Sequence, residues 1–154
     1  MEQNTENFDT MVSRLPFKIF LSIADTGEGL DTNKWMSFFE MLKDKKECHS
    51  PYARGILSKS EERIQKIKIE YERGEIKFDS EKLKEVFDRI NDKLLPEESN
   101  LLEEDLIRFA EKIASISVKK TVFGKFKKHE NKNLDDFKSI IKQSNEDIAK
   151  KRAK

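Results

Sequence analysis

The feature that most constrains this chain is a run of about ten almost uninterrupted apolar residues, Leu15 to Ala24, in an otherwise highly charged sequence. Lys18 and Ser22, one helical turn apart, are its only charged or hydroxyl-bearing members. A helix that is hydrophobic on nearly every side is normally enclosed by other helices, and this run is shorter than the roughly 20 residues that cross a bilayer. Pro16 suits the first turn of a helix, where its missing N–H costs nothing. The run therefore predicts a helix that begins near Leu15 and forms the centre of a bundle.

The composition also favours helices. Charged residues make up 40% of the 154-residue chain, and there are only five Gly and three Pro, which argues against a fold of strands and tight turns. A chain of this length fits one domain. We predict an all-α fold, a compact bundle of about six to seven helices, and a loose echo of residues 15–42 in residues 102–141 suggests two loosely repeated halves. The expected layout is a disordered N-terminus (1–11), a single helical domain (12–148) and a basic C-terminal tail (149–154).

Helix-capping residues indicate where the second and third helices begin. Asp31 or Thr32 suits the N-cap of the second helix, on which apolar residues recur at offsets of 0, 3, 4 and 7: Trp35, Phe38, Phe39 and Leu42. Ser50-Pro51 starts a third helix that can run to Arg73 before Gly74 ends it. This long third helix carries only a narrow apolar stripe. Projection beyond the body and folding back against it both stay open.

Three more helices complete the expected bundle. Asp79 or Ser80 caps a helix that stops before Pro96. A fifth helix, over about residues 97–117, has an apolar stripe and is expected to pair with the central helix. Asn133 begins a capping arrangement for the last helix.

The turn between the first two helices holds three carboxylates beside two glycines: Asp25, Glu28 and Asp31. Carboxylate and carbonyl oxygens suit a hard divalent cation, so these three residues are candidate metal ligands. The turn is not an EF-hand, because Met36 stands where the closing bidentate Glu would be. The alternative is a C-cap glycine followed by an N-cap aspartate, which needs no metal.

The C-terminal quarter of the chain is basic. From Val118 to Lys154, twelve Lys and Arg stand against five Asp and Glu, a net charge of +7 on a body that carries −6. Six lysines within residues 118–132 surround Phe123 and Phe126: Lys119, Lys120, Lys125, Lys127, Lys128 and Lys132. Basic residues interleaved with aromatics suit a phosphate backbone or an anionic membrane face. The alternative is that the two Phe fill the core while the lysines are solvated.

No catalytic motif is recognisable, since the sequence has no nucleophile elbow, phosphate loop or dinucleotide fingerprint. His49 and His129 have no second ligand at zinc spacing, and the acidic residues 103–105 are expected to form a solvated helix start. Cys48 is the only cysteine, which excludes an intramolecular disulfide, and the first fourteen residues do not resemble a signal peptide. We expect a non-enzymatic cytoplasmic protein.

Several of these motifs resemble the TerB-like helical domains, which are named for bacterial tellurite resistance. The likeness covers about half of the chain in short segments. It lies in Leu15-Pro16-Phe17 through Ala24-Asp25, the glycine turn Gly27-Glu28, Asp31 at the start of the second helix, Ile113-Ala114-Ser115, Phe123-Gly124, and Asn133 to Phe137.

The resemblance implies an all-α bundle with a non-enzymatic, cytoplasmic role in stress response, often at the inner membrane face and together with partner proteins. Carried over residue by residue, the resemblance leaves Asp25, Glu28 and Asp31 as candidate cation ligands. Thr26 is inserted in the turn, and Lys34 replaces an acidic residue that is usual there.

The leading hypothesis is therefore a TerB-like module that binds partner proteins, with a divalent cation at the turn of residues 25–31. The alternative hypothesis is nucleic-acid or anionic-membrane binding through residues 118–132. The oligomeric state stays open.

Overall fold

Seven α-helices and no strand make up the described part of the chain. This computed structural model describes residues 7–24, 30–119 and 125–153. For residues 116–119 and 125–131 it describes the backbone alone. The predicted all-α fold is confirmed. In chain order the helices are α1 (Phe8–Ala24), α2 (Thr32–Lys43), α3 (Pro51–Glu62), α4 (Ile64–Glu72), α5 (Ser80–Asp92), α6 (Pro96–Lys119) and α7 (Lys125–Ala153). None of the described helices is long and apolar enough to cross a bilayer.

Helix α1 lies at the centre of the bundle, as predicted. It packs against α2, α3, α5, α6 and α7, and twelve of its residues are buried. Phe17 stacks on Trp35 of α2 with ring centroids 5.0 Å apart. It also makes edge contacts with Phe38 at 5.4 Å and with Tyr71 of α4 at 5.1 Å. The enclosed helix and the aromatic face of α2 therefore form one core.

Helix α1 begins earlier than the sequence predicted. Asn7 acts as its N-cap, because Asn7 Oδ1 accepts a hydrogen bond from Thr10 N at 2.8 Å and Asn7 O accepts one from Met11 N at 3.1 Å. Residues 8–11, expected in a disordered N-terminus, are helical, and Met11 is buried. The polar composition of the N-terminal residues concealed this start. The signal was the helical spacing of Phe8 and Met11 ahead of the apolar run.

The earlier start moves Pro16 from the first turn into the interior of α1. Proline has no N–H, so the carbonyl of Val12, four residues back, lacks its usual helical partner. Both residues are buried among the surrounding helices. Packing on all sides therefore holds α1 together where its own hydrogen-bond ladder is incomplete.

The predicted long third helix is two helices that meet at Arg63, whose φ of −108° and ψ of 15° lie outside the helical range. The break turns α4 back against α1, where Glu70 Oε1 lies 3.1 Å from Arg14 Nη2 and Ile67 is buried. No Pro or Gly lies next to Arg63, and the apolar residues of the predicted third helix keep their spacing of three and four across it. The sequence therefore contains no sign of the break. Of the two open alternatives, the structure has the one that folds back.

Helix α7 is longer than predicted at both ends. It begins at Lys125, and Asn133 lies within it, donating from Nδ2 to the carbonyl of Ile23 at 3.4 Å instead of capping a helix. Residues 149–153 of the expected tail are helical. Arg152 there donates to two backbone carbonyls at the end of α5, those of Asn91 and Leu94.

The predicted helix caps are confirmed elsewhere. Ser50 Oγ accepts from Ala53 N at 3.1 Å at the start of α3, and Asp79 caps α5. Gly74 has a φ of 78° and follows α4, with Gly74 N donating to Tyr71 O and Glu75 N donating to Glu70 O. This is a Schellman motif, and it uses the left-handed conformation that glycine adopts without strain.

Asp31 gives a test of capping at α2, because its Oδ1 accepts a hydrogen bond from Lys34 N at 2.8 Å. With EDTA present, we expect Asp31→Ala to lower the free energy of unfolding by about 1 kcal/mol. Asp31→Asn should lose much less, since its carbonyl oxygen can accept the same bond. Urea denaturation followed by circular dichroism measures both. Equal losses for the two variants would contradict the capping role.

Candidate functional site

The predicted cation turn is only partly described. Asp25 and Glu28 lie outside the described residues, and Asp31 is the N-cap of α2. Within the described ranges, no group of three or more His, Cys, Asp or Glu side chains is placed to hold a metal ion. The turn therefore stays a predicted cation site, with one of its three candidate ligands already accepting a backbone hydrogen bond.

The six lysines predicted to meet nucleic acid or a membrane fall around the junction of α6 and α7. Lys119 is the last residue of α6, Lys120 lies outside the described residues, and the other four belong to α7: Lys125, Lys127, Lys128 and Lys132. Lys132 is exposed. The loop predicted over residues 118–132 is thus helical from residue 125, while the basic surface stays a prediction.

A cleft of about 520 Å³ lies between α2, α3 and α6, and sequence reasoning missed it. Ala53 and Leu57 of α3 line its floor, and Leu106 and Phe109 of α6 line one wall. These four residues are buried. Met36 of α2 also lines the cleft and is 57% exposed. The cleft therefore combines a rigid apolar floor with a flexible apolar side chain open to solvent.

The connection between α2 and α3 crosses one end of the cleft and is fixed there by Asp105. The Ser50 cap and Pro51 begin α3 at the end of the connection from α2, so residues 44–50 must cross one end of the cleft. Asp105 of α6 fixes this connection: its Oδ2 accepts from His49 N at 2.9 Å and from Ser50 N at 2.7 Å. One carboxylate thus ties α6 to the connection between α2 and α3.

Asp105 is only 4% exposed, which corrects the expectation of a solvated acidic helix start at residues 103–105. Its charge is paired, because Asp105 Oδ1 accepts from Arg108 Nη1 at 2.8 Å. Arg108 also donates to Glu47 O at 3.1 Å. A signal was present in the sequence: Asp105 stands three residues after Leu102 and four before Phe109, so it falls within the apolar stripe of α6.

Charged side chains surround the mouth of the cleft. Glu40 and Asp44 lie on the α2 side, and Glu47 lies in the connection that follows. Lys112 of α6 reaches toward them, with its Nζ 3.6 Å from Asp44 Oδ2 and 3.5 Å from Glu47 Oε1. These distances are long for charged pairs, and the side chains involved are substantially exposed, so each pair contributes little to stability.

Cys48 lines the cleft and is half-buried. Burial, followed by the negative charge of Asp105, raises the pKa of the Cys48 thiol above its ordinary value. The thiol is therefore mostly protonated at neutral pH, and a protonated thiol is a weak nucleophile. This is the environment of an unreactive cysteine at the edge of the cleft.

Asp105→Ala should destabilise the protein by about 3 kcal/mol, because it leaves two backbone N–H groups and Arg108 without their acceptor. Glu104→Ala, one residue earlier on the exposed side of α6, is the matched control and should change the free energy of unfolding by less than about 0.5 kcal/mol. Urea denaturation measures both. Similar values for the two variants would show that Asp105 does not fix the connection.

Alkylation of Cys48 tests its environment. We expect the rate of reaction with iodoacetamide to rise with pH around a midpoint above about 8.5, the value of a free thiol, because only the thiolate reacts. The same chain in urea should return to the ordinary midpoint. Mass spectrometry follows the single modification site. A folded-state midpoint at or below the unfolded one would contradict the stated effect of burial.

Comparison of the chain with models of known protein families, with curated proteins and with solved structures gave no match. The TerB-like resemblance accordingly stays an expectation that rests on the sequence motifs.

Proposed function

We propose that this chain is a non-enzymatic helical module that binds a partner protein in the cleft between α2, α3 and α6. The observation that carries the proposal is Met36, a large apolar side chain that is 57% exposed beside an apolar floor. Apolar surface left in contact with water is costly, and a contiguous patch with a polar rim is typical of an interaction site.

The chemistry of the lining supports a protein partner. Met36 and Met41 both line the cleft, and methionine adapts its shape to the surface that it meets. The floor is fixed by buried packing and by Asp105, so most of the cleft is already formed before a partner arrives. A preformed floor with an adaptable edge lowers the entropic cost of binding.

The TerB-like resemblance extends this proposal to a role in bacterial stress response, in the cytoplasm and at the inner face of the membrane. A divalent cation at residues 25–31 is part of the same proposal. The Asp31 variants test it when their unfolding is measured again with calcium, magnesium, manganese or zinc. Wild-type protein that gains no stability from any of these cations would remove the cation from the proposal.

Nucleic-acid or anionic-membrane binding through residues 118–132 is the second candidate. Its support is the +7 charge of residues 118–154 and the position of five of the six lysines at the last residue of α6 and in the first turns of α7. No apolar cleft is involved in this candidate, so substitutions at Met36 leave it unaffected.

Affinity capture with matched variants tests the leading proposal. Met36→Gln removes an exposed apolar contact from the cleft, whereas Leu95→Gln removes one that is 63% exposed and lies outside it. We expect a partner from lysate of the source organism to be retained by wild type and Leu95→Gln, and to fall about threefold or more with Met36→Gln. Quantitative mass spectrometry measures retention.

Both substitutions are at exposed positions, so the thermal unfolding of the two variants should match that of wild type. A set of captured proteins that is indifferent to Met36→Gln would overturn the proposed use of the cleft.

A further inference from the structure

We infer that the segment bound in the cleft is a basic amphipathic helix of the partner. This inference rests on the proposed function and adds the chemistry of the partner. Of the cleft-lining residues whose side chains the structure describes, four are acidic, Glu40, Asp44, Glu47 and Asp105, and two are basic, Arg108 and Lys112. The lining therefore carries a net negative charge beside its apolar floor, and the complementary ligand is apolar on one side and cationic at its edge.

Both of these described cations are already engaged by acids of the same cleft. Arg108 pairs with the buried Asp105 at 2.8 Å, and Lys112 lies near Asp44 and Glu47. Glu40 makes no ion pair with any other residue whose side chain is described, and it is exposed. An acidic partner would have to displace these contacts, whereas a basic partner finds Glu40 available and two further acids only loosely held.

The order of residues on α2 favours a helical ligand. Met36 and Glu40 are four residues apart on one face of α2, and Asp44 follows at the C-cap. Each step of four residues spans about 6 Å along a helix. A ligand helix with an apolar residue and basic residues one and two turns away repeats this spacing. Helices that dock in grooves use such anchors three or four residues apart.

Lys112 determines how strongly the cleft attracts a cation. Its Nζ lies 3.5 to 3.6 Å from Asp44 and Glu47, and a basic side chain of a partner would compete with it for the same carboxylates. Replacing Lys112 by an uncharged residue therefore strengthens binding of a basic helix and weakens binding of an acidic one. The sign of the change reports the charge of the occupant.

The test uses two fluorescent 14-residue model peptides, LKKLLKLLKKLLKL and the same sequence with Glu in place of every Lys. Fluorescence anisotropy measures their affinities for wild type and four variants. For the basic peptide we expect Lys112→Met to tighten binding about two- to fivefold and Glu40→Gln to weaken it by a similar factor. Met36→Gln should also weaken it, whereas Glu85→Gln, an exposed acid on α5, should have no effect.

Cys48 shows where the peptide binds. Because this thiol lines the cleft, the bound basic peptide should slow its alkylation at pH 9, and Met36→Gln should reduce that protection. Attraction of a cationic peptide to the acidic surface elsewhere would leave the alkylation rate unchanged and would overturn the inference.

Other occupants give different results. Tighter binding of the Glu peptide, or weaker binding of the Lys peptide to Lys112→Met, would replace a basic partner by an acidic one. Self-association that sedimentation detects and that Met36→Gln abolishes would make a second copy of this chain the occupant. Either result overturns the inference, while Met36-dependent capture from lysate would still uphold the proposed function.

Discussion

The bundle depends on the burial of α1 by the other helices. Phe17 of α1 fixes how α2 and α4 are arranged around it. Its ring stacks on Trp35 at 5.0 Å and meets Tyr71 edge-on at 5.1 Å, so it joins α1 to α2 and α4 at once. Aromatic pairs of this geometry contribute about 0.5 to 1.5 kcal/mol each beyond the area that they bury. Directional contacts of this kind select one arrangement of helices from the many that an apolar surface alone would allow.

The outline of the cleft depends in turn on the buried carboxylate of Asp105. Asp105 joins α6 to the residues just before α3 through two backbone hydrogen bonds of 2.7 and 2.9 Å. A carboxylate that accepts several donors is expensive to bury unless all of them are in place. Loss of any one donor would leave the buried carboxylate with too few partners. The connection between α2 and α3 thereby has one well-defined position, and the mouth of the cleft has a fixed outline.

The features predicted from the sequence were those set by residues close together in the chain. Asp31, Ser50 and Gly74 act on neighbours within a few residues, so their helix ends could be recognised without knowing the fold. The enclosed α1 was equally visible, because an apolar run leaves few other outcomes. The helix break at Arg63 and the buried role of Asp105 were not predicted, because both depend on contacts between distant parts of the chain. The break at Arg63 depends on the packing of α4 against α1, and Asp105 bonds to residues more than 50 positions away in the chain.

The candidate sites show the same division. Carboxylates and lysines that cluster along the chain were easy to notice, but the structure describes only Asp31 of the first cluster and gives it a capping role. The cleft draws its lining from three separate helices, with Met36 and Lys112 far apart in sequence. No linear pattern contains such a surface. It becomes visible only when the helices are in place.

Arg152, in the last turn of α7, binds to the end of α5. Its guanidinium donates to the carbonyls of Asn91 and Leu94, supplying positive charge where the dipole of α5 is negative. Arg152 thus helps to complete a helix that ended about 60 residues earlier in the chain. A truncation that removes the last turn of α7 would therefore remove part of the folded body and expose the end of α5.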